Sequence, residues 1–156
     1  MRMTRMAESW KTMLTRWAFN FYPVYRATGG RVQYIEENWK EIRIKLPLNW
    51  RTRNYVGTIF GGSIYSSVDP MYMLMLIKIL GPKYVVWDKA AAIRFKKPGR
   101  STLYAKFLIP YEEVDFIKKK LEIRGSIDRI YNVNLMDGAG EIHASVEKTI
   151  YISKKR

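Results

Sequence analysis

The 156-residue sequence is long enough for one domain with a sizeable core, and 47% hydrophobic against 27% charged residues excludes a disordered chain. It has no cysteine, which excludes disulfides, thiolate metal sites and cysteine nucleophiles, and its single histidine, His143, excludes histidine-rich metal centres. Twenty-eight Lys and Arg against fourteen Asp and Glu give a net charge of +14, attractive to polyanions: nucleic acid, anionic lipid or phosphorylated small molecules.

The basic residues are spread along the chain, with short clusters at Lys96-Lys97, Lys118-Lys119-Lys120 and Lys154-Lys155-Arg156, so most belong to a solvated surface. A single domain over 1–156 is expected. Met1 to Met6 leads into Glu8 without a continuous apolar run, so no targeting segment is expected and the expected compartment is the cytoplasm.

Trp10, Met13, Leu14, Trp17 and Phe21 recur at helical spacing and predict an amphipathic helix over residues 7–20, ended by Pro23. Arg31 to Asn38 reads as a strand with a hairpin tip at Glu37-Asn38. Trp39 to Leu46 follows, with Ile42, Ile44 and Leu46 on one parity. Gly61-Gly62 opens an apolar segment that reaches Leu80, long enough for a buried helix of about five turns. Asp69-Pro70 and Lys78 argue against a membrane span.

Tyr84 to Lys97 and Ser101 to Ile109 read as strands, and residues 112–124 as an inserted surface helix with Val114, Ile117 and Leu121 on one face. Ile127 to Met136 and Glu141 to Ser153 complete the strands, with His143 on the outward parity of the last. The expected class is α+β: an antiparallel sheet wrapped around a long central helix.

The chemically informative stretch runs from Asn54 to Asp69. Gly61 and Gly62 stand where a loop enters the buried helix. Free backbone N–H groups and the positive end of the helix dipole meet there, an arrangement suited to an oxyanion or to close loop-to-helix packing. Asp69 lies seven residues after Gly62, about two turns on and on the same face. A carboxylate in an apolar segment reads as a general base or nucleophile. Asp69-Pro70 reads equally as an N-cap followed by proline at a second helix start, and the two readings are compatible.

Asn54-x-x-Gly57-x-x-Phe60-Gly61-Gly62, with Asp69 seven positions on, resembles the active-site segment of hotdog-fold acyl-CoA thioesterases of the phenylacetate-pathway type. Val86-Trp87-Asp88-Lys89 and Ile93 to Arg100 are similar to the strand after the helix in that superfamily, closest to a bacterial branch catalogued as a domain of unknown function. The resemblance covers residues 30–153. It implies that Asn54 orients the thioester or water, that the Gly61 N–H binds the oxyanion, and that Asp69 activates water or attacks directly. It also implies a homodimer, with a dimer of dimers as a further option, in which Asp69 comes from the other subunit and the sheets join edge to edge. Phe60 departs from the histidine of many relatives, and Val86-Trp87 from a serine or threonine that would help position water.

Gly62 and Phe60 border the same segment and are expected at the substrate. Lys89 shares strand parity with Trp87, Ala91, Ile93 and Phe95 and is expected to face the central helix, pairing with Asp69 or meeting substrate; a bulge would instead turn it to solvent, and a purely structural ion pair is the other alternative. Lys148 interrupts an apolar parity in the same way. Arg94, Lys96, Lys97 and Arg100 suit the phosphates of coenzyme A. Met71, Met73 and Met75 suit an acyl tunnel or ordinary core. No metal or cofactor is expected. The leading expectation is thioester hydrolysis; the alternatives are a non-catalytic protein binding an acyl-CoA or fatty acyl ligand, and nucleic-acid binding, for which no motif is present.

Overall fold

The structure, a computed structural model, describes residues 7–155; the Met1 to Met6 reading and Arg156 of the last basic cluster lie outside them. In chain order the elements are α1 (Trp10–Phe21), α2 (Pro23–Ala27), β1 (Arg31–Ile35), β2 (Glu41–Leu46), α3 (Gly61–Val68), α4 (Met71–Leu80), β3 (Tyr84–Phe95), β4 (Leu103–Leu108), α5 (Tyr111–Arg124), β5 (Ser126–Met136) and β6 (Ile142–Lys154). The six strands form one antiparallel sheet in the order β1-β2-β4-β5-β6-β3.

The alternation in β2 works as expected: Ile42, Ile44 and Leu46 are buried, facing the same core as Leu103, Ala105 and Phe107 of β4. The α3–α4 pair supplies the core's other layer through Ile64, Val68, Met71, Met75 and Leu76. Tyr72 ties the layers together: its ring stacks on Tyr131 and meets Phe107 edge-on, and its hydroxyl donates to Asn132 O at 2.9 Å. Burial pushes its phenol up to about 12. Met71 and Met75 are sealed in this core, with Met73 packed partly against it.

Four local expectations need correction. The central helix is kinked at Asp69-Pro70, as the Asp-Pro pair allowed, but Pro70 rather than Asp69 stands at the N-cap of α4, without a side-chain cap. Asp69 instead closes α3, and its carboxylate turns to the sheet. Pro23 does not merely end α1; it opens α2 at the first helical position. Lys89 does not face the central helix. The β3–β6 register shifts between Asp88 and Ala90, so Lys89 is the extra residue of a bulge and points out to Asp128. His143 is buried, because the Pro98 loop and the Asp137 turn fold over it: its ring meets Pro98 O at 3.0 Å and Asp137 Oδ2 at 3.1 Å.

Candidate active site

The α3 N-terminus is the first part of the site. The N–H groups of Gly61, Gly62 and Ser63 precede the first intrahelical bond, from Ile64 N–H to Phe60 O at 3.1 Å. The loop that delivers them is pinned on both sides, by Phe60 N–H to Thr52 O at 2.7 Å and Ile59 N–H to Gly99 O at 2.8 Å. A side chain at either glycine would press on an aromatic ring. A Cβ on Gly61 would lie 3.1 Å from the Phe95 ring, and one on Gly62 would lie 2.4 Å from the Phe60 ring.

A cleft of about 370 Å³ opens beside Gly61, with Ile59, Ile64 and Phe95 as its apolar wall and Asn54, Lys96 and Lys97 at its polar end. Of the residues singled out in the sequence, this brings together Asn54, Gly61, Lys96 and Lys97. Asn54 spends much of its amide on its own loop: Oδ1 accepts from the N–H groups of Val56 and Thr58, and Nδ2 donates to Thr58 Oγ1. Lys97 pairs with Glu141. Phe60, Arg94 and Arg100 are exposed outside the lining, and Lys89 is remote from it, in its pair with Asp128.

Asp69 forms the second part. Its Oδ1 accepts from the Tyr65 hydroxyl, one helical turn earlier, at 2.7 Å and from Lys148 Nζ at 2.5 Å. Lys148 projects from β6 among Val146 and Ile150 and is 1% exposed, yet it also pairs with Asp88 Oδ1 at 3.0 Å. Burial works to lower the Lys148 pKa, but the bonds to Asp69 and Asp88 outweigh it and hold the ammonium above its usual range. Burial pushes the Asp88 carboxyl up, with Lys148 pulling it back. Burial and the bond to Asp69 raise the Tyr65 phenol.

The Asp69 side chain remains 43% exposed. It is an anchored carboxylate with an open side, the acidic group at the junction of α3 and α4. It lies eight residues beyond Gly61, about 12 Å further along the helix axis. Tyr65, Asp88 and Phe95 lie in segments quoted from the sequence but are given no site role there. The one available signal was Tyr65, at helical spacing of four from Asp69.

The chain is similar to several solved structures. A Pseudomonas aeruginosa protein of unknown function, described as a probable thioesterase, shares 16% identity over 97% of this chain and 99% of that one, with a TM-score of 0.82. A protein of unknown function from Chlorobaculum tepidum shares 13% over 92% and 94%, with a TM-score of 0.72. A thioesterase from Haemophilus influenzae shares 12% over 96% and 94%, with a TM-score of 0.68. At these identities the likeness establishes the fold, the hotdog arrangement of a sheet around a central helix. No curated protein sequence matches the chain. The family described as a domain of unknown function, DUF4442, matches residues 11–152, and the chain belongs to it.

Proposed function

We propose that this protein hydrolyses an acyl-CoA thioester as a homodimer. The observation that carries the reading is Asp69: a carboxylate fixed by Lys148 and Tyr65 and still open to solvent. In this reading the acyl end lies against Ile59, Ile64 and Phe95, and the thioester oxygen meets the Gly61 N–H at the α3 N-terminus. Asp69 of the partner subunit takes a proton from water as its oxygen bonds to the carbonyl carbon. The resulting oxyanion then collapses, the C–S bond breaks, and the thiolate leaves to be protonated, giving a carboxylic acid and free thiol. Arg94, Lys96 and Arg100 supply positive charge for the coenzyme A phosphates.

Two features support the dimer. The axial gap between Gly61 and Asp69 leaves each chain half a site. β3 also ends the sheet as a 12-residue edge with Trp87 and Phe95 exposed, a surface that strand pairing with a second copy would cover. The engagement of Asn54 within its own loop favours a second reading, in which the same cleft binds an acyl ligand without turnover.

The test is thiol release from acyl-CoAs of graded chain length, with wild type beside Asp69→Asn. Turnover that falls by about 10²-fold or more in the variant is expected for loss of a general base. Acyl-CoA binding without thiol release would install the second reading, and undiminished turnover in Asp69→Asn would remove Asp69 from the chemistry.

A further inference from the structure

Helix α1 turns several polar residues to the sheet beside Phe19, which packs on the core and on Tyr25: Thr12 is buried, and Asn20 donates to Val32 O at 2.9 Å while accepting from Val32 N–H at 2.8 Å. Arg16 holds Glu8 through two bonds, at 2.8 and 3.1 Å, and Glu8 in turn accepts from Ile35 N–H at 3.3 Å. These contacts satisfy the outer backbone of β1, the other edge strand, and explain why α1 needs polar groups on its inner side. The consequence is that Trp10, Met13, Leu14, Trp17 and Phe21, one stripe at helical spacing, are each more than 40% exposed.

The stripe continues beyond the helix. Phe21, Arg26, Trp50 and Arg51 line one open hollow, with Trp50 82% exposed. Cations stand over the tryptophans: Lys11 Nζ is 5.7 Å from the Trp10 ring centre and the Arg51 guanidinium 4.8 Å from that of Trp50. Residues 9–35 contain four Lys and Arg and no Asp or Glu; residues 42–68 likewise contain no acid. The face is thus aromatic, apolar and cationic, in a chain of net charge +14.

We propose that this face docks on an anionic lipid surface. The apolar stripe of α1 would enter the boundary between headgroups and acyl chains, and Lys11, Arg26 and Arg51 would meet lipid phosphates. Tryptophan suits that boundary because its ring is apolar and its N–H polar. The helix lies in the surface and does not cross it: α1 spans about 18 Å against the roughly 30 Å of a bilayer core. Charge disfavours a second copy as the occupant: residues 9–35 and 42–68 offer no acid, so across a two-fold interface Lys11, Arg26 and Arg51 would meet like charges, whereas lipid phosphates neutralise them. The inference is independent of the thioesterase reading.

The test is flotation of the purified protein with vesicles of phosphatidylcholine alone or of equal parts phosphatidylcholine and phosphatidylglycerol. Wild type is expected to float with the anionic vesicles, to stay behind with the neutral ones, and to be released by high salt in part. Trp10→Ser/Trp17→Ser and, separately, Arg26→Glu/Arg51→Glu should each lower the partition coefficient about tenfold or more, with melting temperatures that show both variants folded. Absence of flotation with anionic vesicles, or flotation unchanged in the tryptophan variant, overturns the proposal. So does self-association of the wild type that the tryptophan variant abolishes, which would assign the face to a second copy.

Discussion

Two charge clusters stand against this sheet, and they are built on opposite plans. On α5, Glu113 accepts from Arg129 Nε and Nη2, at 2.7 and 2.8 Å, and from the Tyr131 hydroxyl at 2.7 Å: one acid, one base and one phenol, closed on themselves. Under α3, one buried ammonium, Lys148, serves two carboxylates, Asp69 and Asp88, and the Asp69 side chain stays 43% exposed. A closed cluster spends its hydrogen-bonding capacity on the fold. An open one holds a carboxylate in place while leaving it accessible, which is what a base or a ligand contact requires.

Removing the cation from the open cluster should produce the largest effect. Lys148→Met keeps the length of the side chain and leaves Asp69 and Asp88 without their shared partner. A fully buried pair would lose about 3–5 kcal/mol; with both carboxylates partly solvated, about 1–3 kcal/mol is expected in urea unfolding at pH 7. The folded pKa of Lys148 is raised above the ordinary 10.5, so its stabilisation is fully present below that pH and is lost as pH rises through the folded value. Wild type should therefore lose its advantage over Lys148→Met as pH rises through that value, and again in acid once the carboxylates that pair with the ammonium are protonated. A variant within 0.5 kcal/mol of wild type would break the distinction between the clusters.

The closed cluster should respond at the acid end of the pH scale. Burial raises the Glu113 carboxyl, but the bonds from Arg129 and Tyr131 outweigh it and hold it below its ordinary 4.5. That stabilisation is present above 4.5 and is lost as pH falls through the folded value. Glu113→Gln should cost about 1 kcal/mol at pH 7, and the gap should close on acidification. The check is unfolding free energy followed from pH 7 down to 3 in both proteins. A gap independent of pH would remove the ion pair as its cause.

Much of this was legible in the sequence, and the failures have definite causes. Strand alternation located β2 and β6, because a one-sided core repeats with period two. The same rule noticed Lys148, since β6 itself carries no extra residue between Ala144 and Ile152; the extra residue of its pairing with β3 lies on β3. It misplaced Lys89, because one extra residue between Asp88 and Ala90 reverses the parity, and no glycine or proline marks that bulge. Periodicity found the apolar stripe of α1 but says nothing of which way it faces; the direction was set by the β1 edge, whose backbone takes the polar side. The sequence brought Asp69 and Gly61 into one motif through resemblance, whereas the carboxylate's cation, Lys148, came from β6, far along the chain, and brought Asp88 of β3 with it.

The smallest effect should come from the lysine that the alternation misplaced. Lys89 Nζ lies 2.5 Å from Asp128 Oδ2, as close as Lys148 lies to Asp69, so distance alone would make the two pairs equals. Solvent separates them: the Lys89 and Asp128 side chains are 55% and 41% exposed, and such pairs contribute about 0–1 kcal/mol because water and salt screen the charges and ordering two long side chains costs entropy. Lys89→Met should therefore unfold within about 0.5 kcal/mol of wild type, with what difference there is vanishing in high salt. The same substitution at Lys148 should keep most of its cost in salt, since a side chain 1% exposed is poorly screened. Unfolding both variants in urea at low and high salt measures the contrast directly, and equal costs at the two lysines would mean that burial does not govern the strength of these pairs.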